Sequence, residues 1–216
     1  FEPARKNGGL VSAREAARSY EFTFHGRAAH AGVSPESGCD AVMAMVKFIT
    51  AVKALEDRPN GIVINCSPVE GGEAPSTIAD FARCKFRFFA WTNEDHDRIR
   101  DTILEYAKKE WEPGVKIETT LINTAAAMTF NAETEAFAKM LEEAASRVGV
   151  EVKWIRAGGL SDGNRISAVG TPTLDGLGPS GFNLHSDKEY LDLKSIDEHI
   201  KLGVSLLTMM AEKKSQ

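Results

Sequence analysis

The chain has 216 residues, 43% of them hydrophobic, with 26 basic against 31 acidic side chains. That is enough to bury one large core or two small ones, and the mildly negative balance excludes a nucleic-acid or anionic-membrane surface built on basic runs. No apolar run approaches the length of a membrane span. The three cysteines, Cys39, Cys66 and Cys84, lie in apolar patterns without a C-x-x-C pair. They read as buried free thiols of a reducing, cytoplasmic compartment. The sequence opens on Phe1-Glu2-Pro3 with no visible signal peptide, which reads as part of a longer protein.

The first elements follow from alternation and breakers. Tyr20, Phe22 and Phe24 alternate with polar residues, predicting a half-buried strand. After the turn at Gly32-Val33-Ser34-Pro35, the stripe Ala41, Met45, Phe48, Val52 and Leu55 predicts a helix that Pro59-Asn60-Gly61 ends. Ile62, Ile64 and Cys66 predict a second strand running to Gly71-Gly72. A third puts Ala82, Cys84, Phe86 and Phe88 on one face and Arg83, Lys85 and Arg87 on the other. Thr92-Asn93-Glu94-Asp95 starts a helix carrying Ile99, Ile103 and Tyr106; Pro113-Gly114 stops it before a last strand with Val115, Ile117, Thr119 and Leu121. The order β-α-β-β-α-β is the ferredoxin-like arrangement.

The remainder is sparser. Phe137, Met140, Leu141, Ala144 and Val148 predict a helix, and Val152 to Ile155 a short strand. Thr171-Pro172-Thr173-Leu174 reads as another strand. A long closing helix carries Ile196, Ile200, Val204, Leu207 and Ala211 on one face. Two short strands among helices suggest the edge of an α/β layer whose completing strands are missing. The fold class expected is therefore α/β (α+β), with a ferredoxin-like βαββαβ domain inserted in an incomplete α/β domain.

Two stretches carry chemistry. Gly181-Phe182-Asn183-Leu184-His185-Ser186-Asp187-Lys188-Glu189-Tyr190 presents a histidine in a Gly-flanked loop followed by acidic residues, either a plain surface loop or a metal ligand oriented by carboxylates. Gly158-Gly159-Leu160-Ser161-Asp162-Gly163 allows close backbone approach, and Asp162 could instead cap the helix after it. His25 reads as structural. His96 and His199, on polar helix faces, are expected to be solvated.

Taken in order with Phe1-Glu2-Pro3 and His25-Gly26-Arg27-Ala28-Ala29-His30-Ala31-Gly32, these stretches resemble the M20 metallopeptidases over essentially the whole chain, nearest to their glutamate carboxypeptidase branch. The resemblance implies a lid or dimerisation domain at residues 20–124, set between a remnant (1–19) and the C-terminal part (125–216) of a zinc-binding catalytic domain. It implies hydrolysis of a peptide or amide bond in a small substrate by zinc-activated water, with two zinc ions per subunit and cobalt or manganese as alternatives. Glu2 and His185 correspond to metal ligands. His30 corresponds to the lid histidine that stabilises the oxyanion in the partner subunit of a homodimer. Gly158, Gly159 and Ser161 correspond to the substrate loop. The substrate would be a small peptide or an N-acyl amino acid.

Three departures stand beside the likeness. The segment supplying the remaining metal ligands and the general base is absent, so this piece alone is expected to be inactive. An asparagine and an arginine of the family's lid fall at Ser76 and Phe89, although Arg83, Lys85 or Arg87 could serve in a shifted register. A carboxylate-clamping arginine falls near Ala127. These losses point to a less acidic substrate. The alternatives are a non-catalytic dimerisation module, a degenerate homologue without metals, and a ferredoxin-like RNA-binding domain, the last disfavoured by negative charge and no aromatic platform.

Overall fold

The computed structural model describes residues 2–5, 8–184 and 186–214. The chain forms two compact units, one of residues 1–15 with 126–216 and one of residues Ala16–Ala125. Each is built around its own apolar cluster.

In the second unit, β3 (Ala16–His25), β5 (Val63–Gly71), β7 (Phe81–Ala90) and β8 (Lys116–Ala125) form an antiparallel sheet in the order β5-β7-β3-β8. Helices α1 (Ala41–Lys53) and α2 (Asn93–Ala107) pack on one face. That is the expected β-α-β-β-α-β order, and the alternation holds through the ladder: Phe22 faces Cys84 and Phe24 faces Ala82. Phe22, Phe24, Phe48, Phe86 and Phe88 are all 1% exposed or less, each contributing about 1.5–3 kcal/mol of burial. Asp40 and Thr92 start the helices by accepting the Met43 and Asp95 amides. A short ladder missed in the sequence, β4 (Ala29–His30) with β6 (Thr77–Ile78), is too brief for a periodic signal.

In the first unit, β2 (Gly9–Arg14) runs parallel to β9 (Lys153–Ala157), and β1 (Pro3–Ala4) runs parallel to β10 (Gly178–Phe182), which turns back into β11 (Tyr190–Leu191). Helices α3 (Ala132–Val148), α4 (Asp162–Ala168) and α5 (Leu193–Lys214) complete it. Residues 171–174 are not a strand; a single bridge, Asp175 to Val11, takes the place of a ladder. The closing helix buries a different face from the stripe Ile196, Ile200, Val204, Leu207 and Ala211. Its buried residues are Ser195, His199, Leu202, Leu206 and Met209, packed with Leu141, Ala144 and Leu177, whereas Ile200, Val204 and Leu207 are exposed.

Candidate active site

The motif around His30 is shaped by Gly26. A Cβ there would lie 2.1 Å from the Cys39 carbonyl oxygen, so only glycine allows the strand end to cross that backbone. His30 then pairs with Thr77 on the β4–β6 ladder, and the Ala31 amide donates to the Ser76 carbonyl at 2.8 Å. Residues 46 positions apart in sequence are thereby brought together, and both His30 and Ser76 are exposed. The Gly32 amide donates to His30 Nδ1 at 3.1 Å. An accepting Nδ1 puts the neutral ring's proton on Nε2, which is left as an outward donor.

The glycine loop joins β9 to α4. Gly159 has φ +81°, a left-handed conformation that favours glycine, and a Cβ on Gly158 would sit 3.3 Å from a Glu15 carboxylate oxygen. Ser161 rather than Asp162 is the N-cap: its hydroxyl accepts the Gly163 amide at 3.1 Å and donates to Asp175 Oδ2 at 2.7 Å. The hydroxyl is thus committed inside the protein, and what the loop offers outward is backbone.

Sequence reading missed the side chains that hold this loop. Arg14, 1% exposed, donates to Asp175 Oδ2 at 2.8 Å through Nε and to the Gly159 carbonyl at 3.3 Å through Nη1. Its Nη2 is buried without a hydrogen-bond partner among the described residues. Burial opposes ionisation of Asp175, but the Ser161 hydroxyl, the Gly176 amide and Arg14 together hold its carboxyl below the ordinary range. Burial and the charge of Arg14 lower Arg5, with Asp175 and Glu2 acting the other way, and burial alone raises Glu15. Arg14 lies beside Glu15 in the otherwise largely apolar stretch from Gly9 to Ala17. Its partner lies 161 residues away, with no signal in the sequence to join them.

Glu2 is exposed at the start of β1, and its carbonyl accepts the Gly178 amide at 2.9 Å. Its carboxylate lies near enough to Arg5 to favour that residue's charge. His185 lies outside the described residues. Among the described residues no cluster of three or more His, Cys, Asp or Glu is placed to hold a metal.

The remaining expectations divide. Arg83 is tied to Glu70 at 2.7 Å and lies 3.9 Å from Glu21, Lys85 pairs with Glu21 at 3.2 Å, and Arg87 stacks 5.3 Å over Phe89. Ala127 is 2% exposed. His96 and His199 are not solvated: they are 2% and 8% exposed. His96 packs on Phe88 with ring centroids 5.1 Å apart, and burial beside Arg18 and Arg100 pushes its pKa down to about 4. His199 Nδ1 is 3.0 Å from the Leu177 carbonyl. The three cysteines are free thiols. A cavity of about 850 Å³ beside α2 and the start of β8, lined by Leu104, Lys108 and Ile117, contains none of these site residues.

Comparison with known proteins follows the same division. Residues 12–115 match the model of a peptidase dimerisation domain of the M20 type. The chain is 27% identical over 216 residues to carboxypeptidase G2 of Pseudomonas sp. (strain RS-16), covering 96% of itself and 51% of that relative. Its fold is similar to a tripeptidase from Staphylococcus aureus subsp. aureus mu50 (TM-score 0.79, 21% identity, covering 94% of this chain and 54% of that one). It is likewise similar to aminopeptidase PepT from Bacillus cereus ATCC 10987 (TM-score 0.76, 22% identity, 92% and 53% covered). The chain spans about half the length of these proteins.

Proposed function

We propose that this chain, which belongs to the M20 peptidase family, is the lid and the C-terminal catalytic part of a hydrolase that cleaves a peptide or amide bond in a small substrate. The observation that carries the reading is His30. An exposed imidazole whose Nδ1 is occupied by the Gly32 amide presents Nε2–H as a fixed donor, which is what a developing oxyanion requires. Glu2 and His185 would hold metal in this reading, an exposed carboxylate and an imidazole being donors that suit zinc. Zinc, when bound, lowers the pKa of water and polarises the scissile carbonyl. The chain's own residues orient the substrate and stabilise charge: the glycine loop by backbone, His30 by its donor in the neighbouring subunit of a homodimer.

The substrate proposed is a neutral or weakly acidic small peptide or N-acyl amino acid. The positions of the expected carboxylate clamp support this, since Ala127 is buried and Arg83 is already paired with Glu70. Free thiols favour a cytoplasmic setting. Among the described residues no helix is long and apolar enough to cross a membrane. A second reading, a non-catalytic dimerising module, is favoured by the family match falling on the dimerisation domain. Steady-state hydrolysis by the full-length protein and its His30→Ala variant separates the two. Loss of an oxyanion donor should lower kcat about 10²–10³-fold. An unchanged kcat removes His30 from the reaction, and no turnover by the wild type leaves the dimerising module.

A further inference from the structure

Asn164 sits at the third position of α4, 1% exposed, with its whole amide engaged. Its Oδ1 accepts the Ser161 amide at 3.1 Å, which completes the capping box. A cap needs no more than that acceptor. The Nδ2 group goes further, donating to the Glu15 carbonyl at 3.1 Å and to the Ala126 carbonyl at 2.8 Å. Those acceptors lie 149 and 38 residues away in sequence. They are also the last and first residues of the 1–15/126–216 unit where the chain leaves it and returns. One buried side chain therefore ties the glycine loop to both crossings.

We propose that Asn164 is a positioning residue for the glycine loop, fixing the Ser161 backbone to the two chain crossings at Glu15 and Ala126. Buried amide groups lose their solvation on folding, so an arrangement in which both N–H hydrogens and the oxygen are bonded has few alternatives. Arg14 secures the Gly159 carbonyl and Asp175 the Ser161 hydroxyl, but the Ser161 amide depends on Asn164. A shift at either crossing is transmitted by two short bonds to the N-terminus of α4, and from there to Gly158 and Gly159. The proposal rests on the reading of residues 158–161 as a substrate loop. A loop that binds ground state and transition state alike governs KM and leaves kcat alone.

The test uses the full-length protein with Asn164→Asp, which keeps an acceptor for Ser161 but removes both donors, and Asn164→Ala, which removes all three bonds without burying a charge. Amide exchange at Ser161 should accelerate at least tenfold in Asn164→Ala, which loses the acceptor, and less in Asn164→Asp, which keeps it, with Leu10 and Val11 unchanged in both. KM should rise about tenfold with kcat within threefold. Unchanged loop exchange overturns the proposal, as does a fall in kcat and Tm at constant KM, the mark of a merely structural residue. Should neither variant fold, the wild type decides: the Ser161 amide must be more protected than that of Leu160, and equal exchange refutes the bond. If the wild type hydrolyses neither peptides nor N-acyl amino acids, the hydrolase reading fails, while the exchange measurements still judge Asn164.

Discussion

The two units use apolar surface in opposite ways. In residues 16–125 the apolar stripes of β3, β7, α1 and α2 are the buried ones: Phe22, Phe24, Phe86 and Phe88 meet Phe48 in a single cluster, while Leu121 and Ile122 on β8 stay exposed. In the other unit α5 carries two stripes. The face with Leu202, Leu206 and Met209 is buried, and the one with Ile200, Val204 and Leu207 lines an open groove of about 380 Å³ with Leu177 and Pro179. Periodicity finds apolar faces, but it cannot choose between two of them. The choice is made by partners distant in sequence, here Leu141 and Ala144 on α3.

The sharpest way to break this contrast is Phe48→Ala. Phe48 lies within 4.8–6.0 Å, centroid to centroid, of Phe22, Phe24, Phe86 and Trp111. Its removal should cost about 3–5 kcal/mol in urea unfolding of the Ala16–Ala125 unit, and a loss below about 1 kcal/mol would deny that this is the core. In the other unit the comparable weight falls on a charge pair. Arg14→Met leaves Asp175 buried and unpaired and should cost about 3–5 kcal/mol, most of it recovered by the double substitution with Asp175→Leu. A double-mutant cycle showing no coupling would contradict the pairing.

Histidine 96 gives a smaller, pH-dependent effect. Its folded pKa is lowered to about 4, chiefly by burial, so the unfolded chain takes up the proton first, near the ordinary 6.5. The stability it contributes is complete above 6.5 and is lost as pH falls toward 4, by about 3 kcal/mol. His96→Leu should remove that part of the slope, and identical pH profiles of the two proteins would refute it. The smallest expected change is on the open face of α5. Leu207→Gln, at a position 60% exposed, should alter stability by less than about 0.5 kcal/mol while reducing binding of a hydrophobic dye. A cost near that of a core residue would mean the face is covered.

Most of the ferredoxin-like unit was legible because its elements are local and one-sided. The strand predicted from Ile62 to Gly71-Gly72 is found over Val63–Gly71, and Thr92 caps α2. Thr171-Pro172-Thr173-Leu174 reads as a strand, yet Pro172 has no amide to donate and the single bridge falls on Asp175, with Val11. At the candidate site the sequence named the loop but gave its helix cap as Asp162 or left it open. It could not show that Ser161, Asn164, Arg14 and Asp175 act together, because their bonds join segments up to 161 residues apart.

Elemental analysis of the full-length protein, paired with hydrolysis of dipeptides and N-acyl amino acids before and after chelation, decides whether it is a metal-dependent hydrolase with the proposed ligands Glu2 and His185. Such an enzyme should carry about two zinc ions per subunit and show turnover that chelator abolishes and zinc restores, with no preference for C-terminal glutamate over neutral substrates. Metal-free protein, or turnover indifferent to chelator, would contradict this reading.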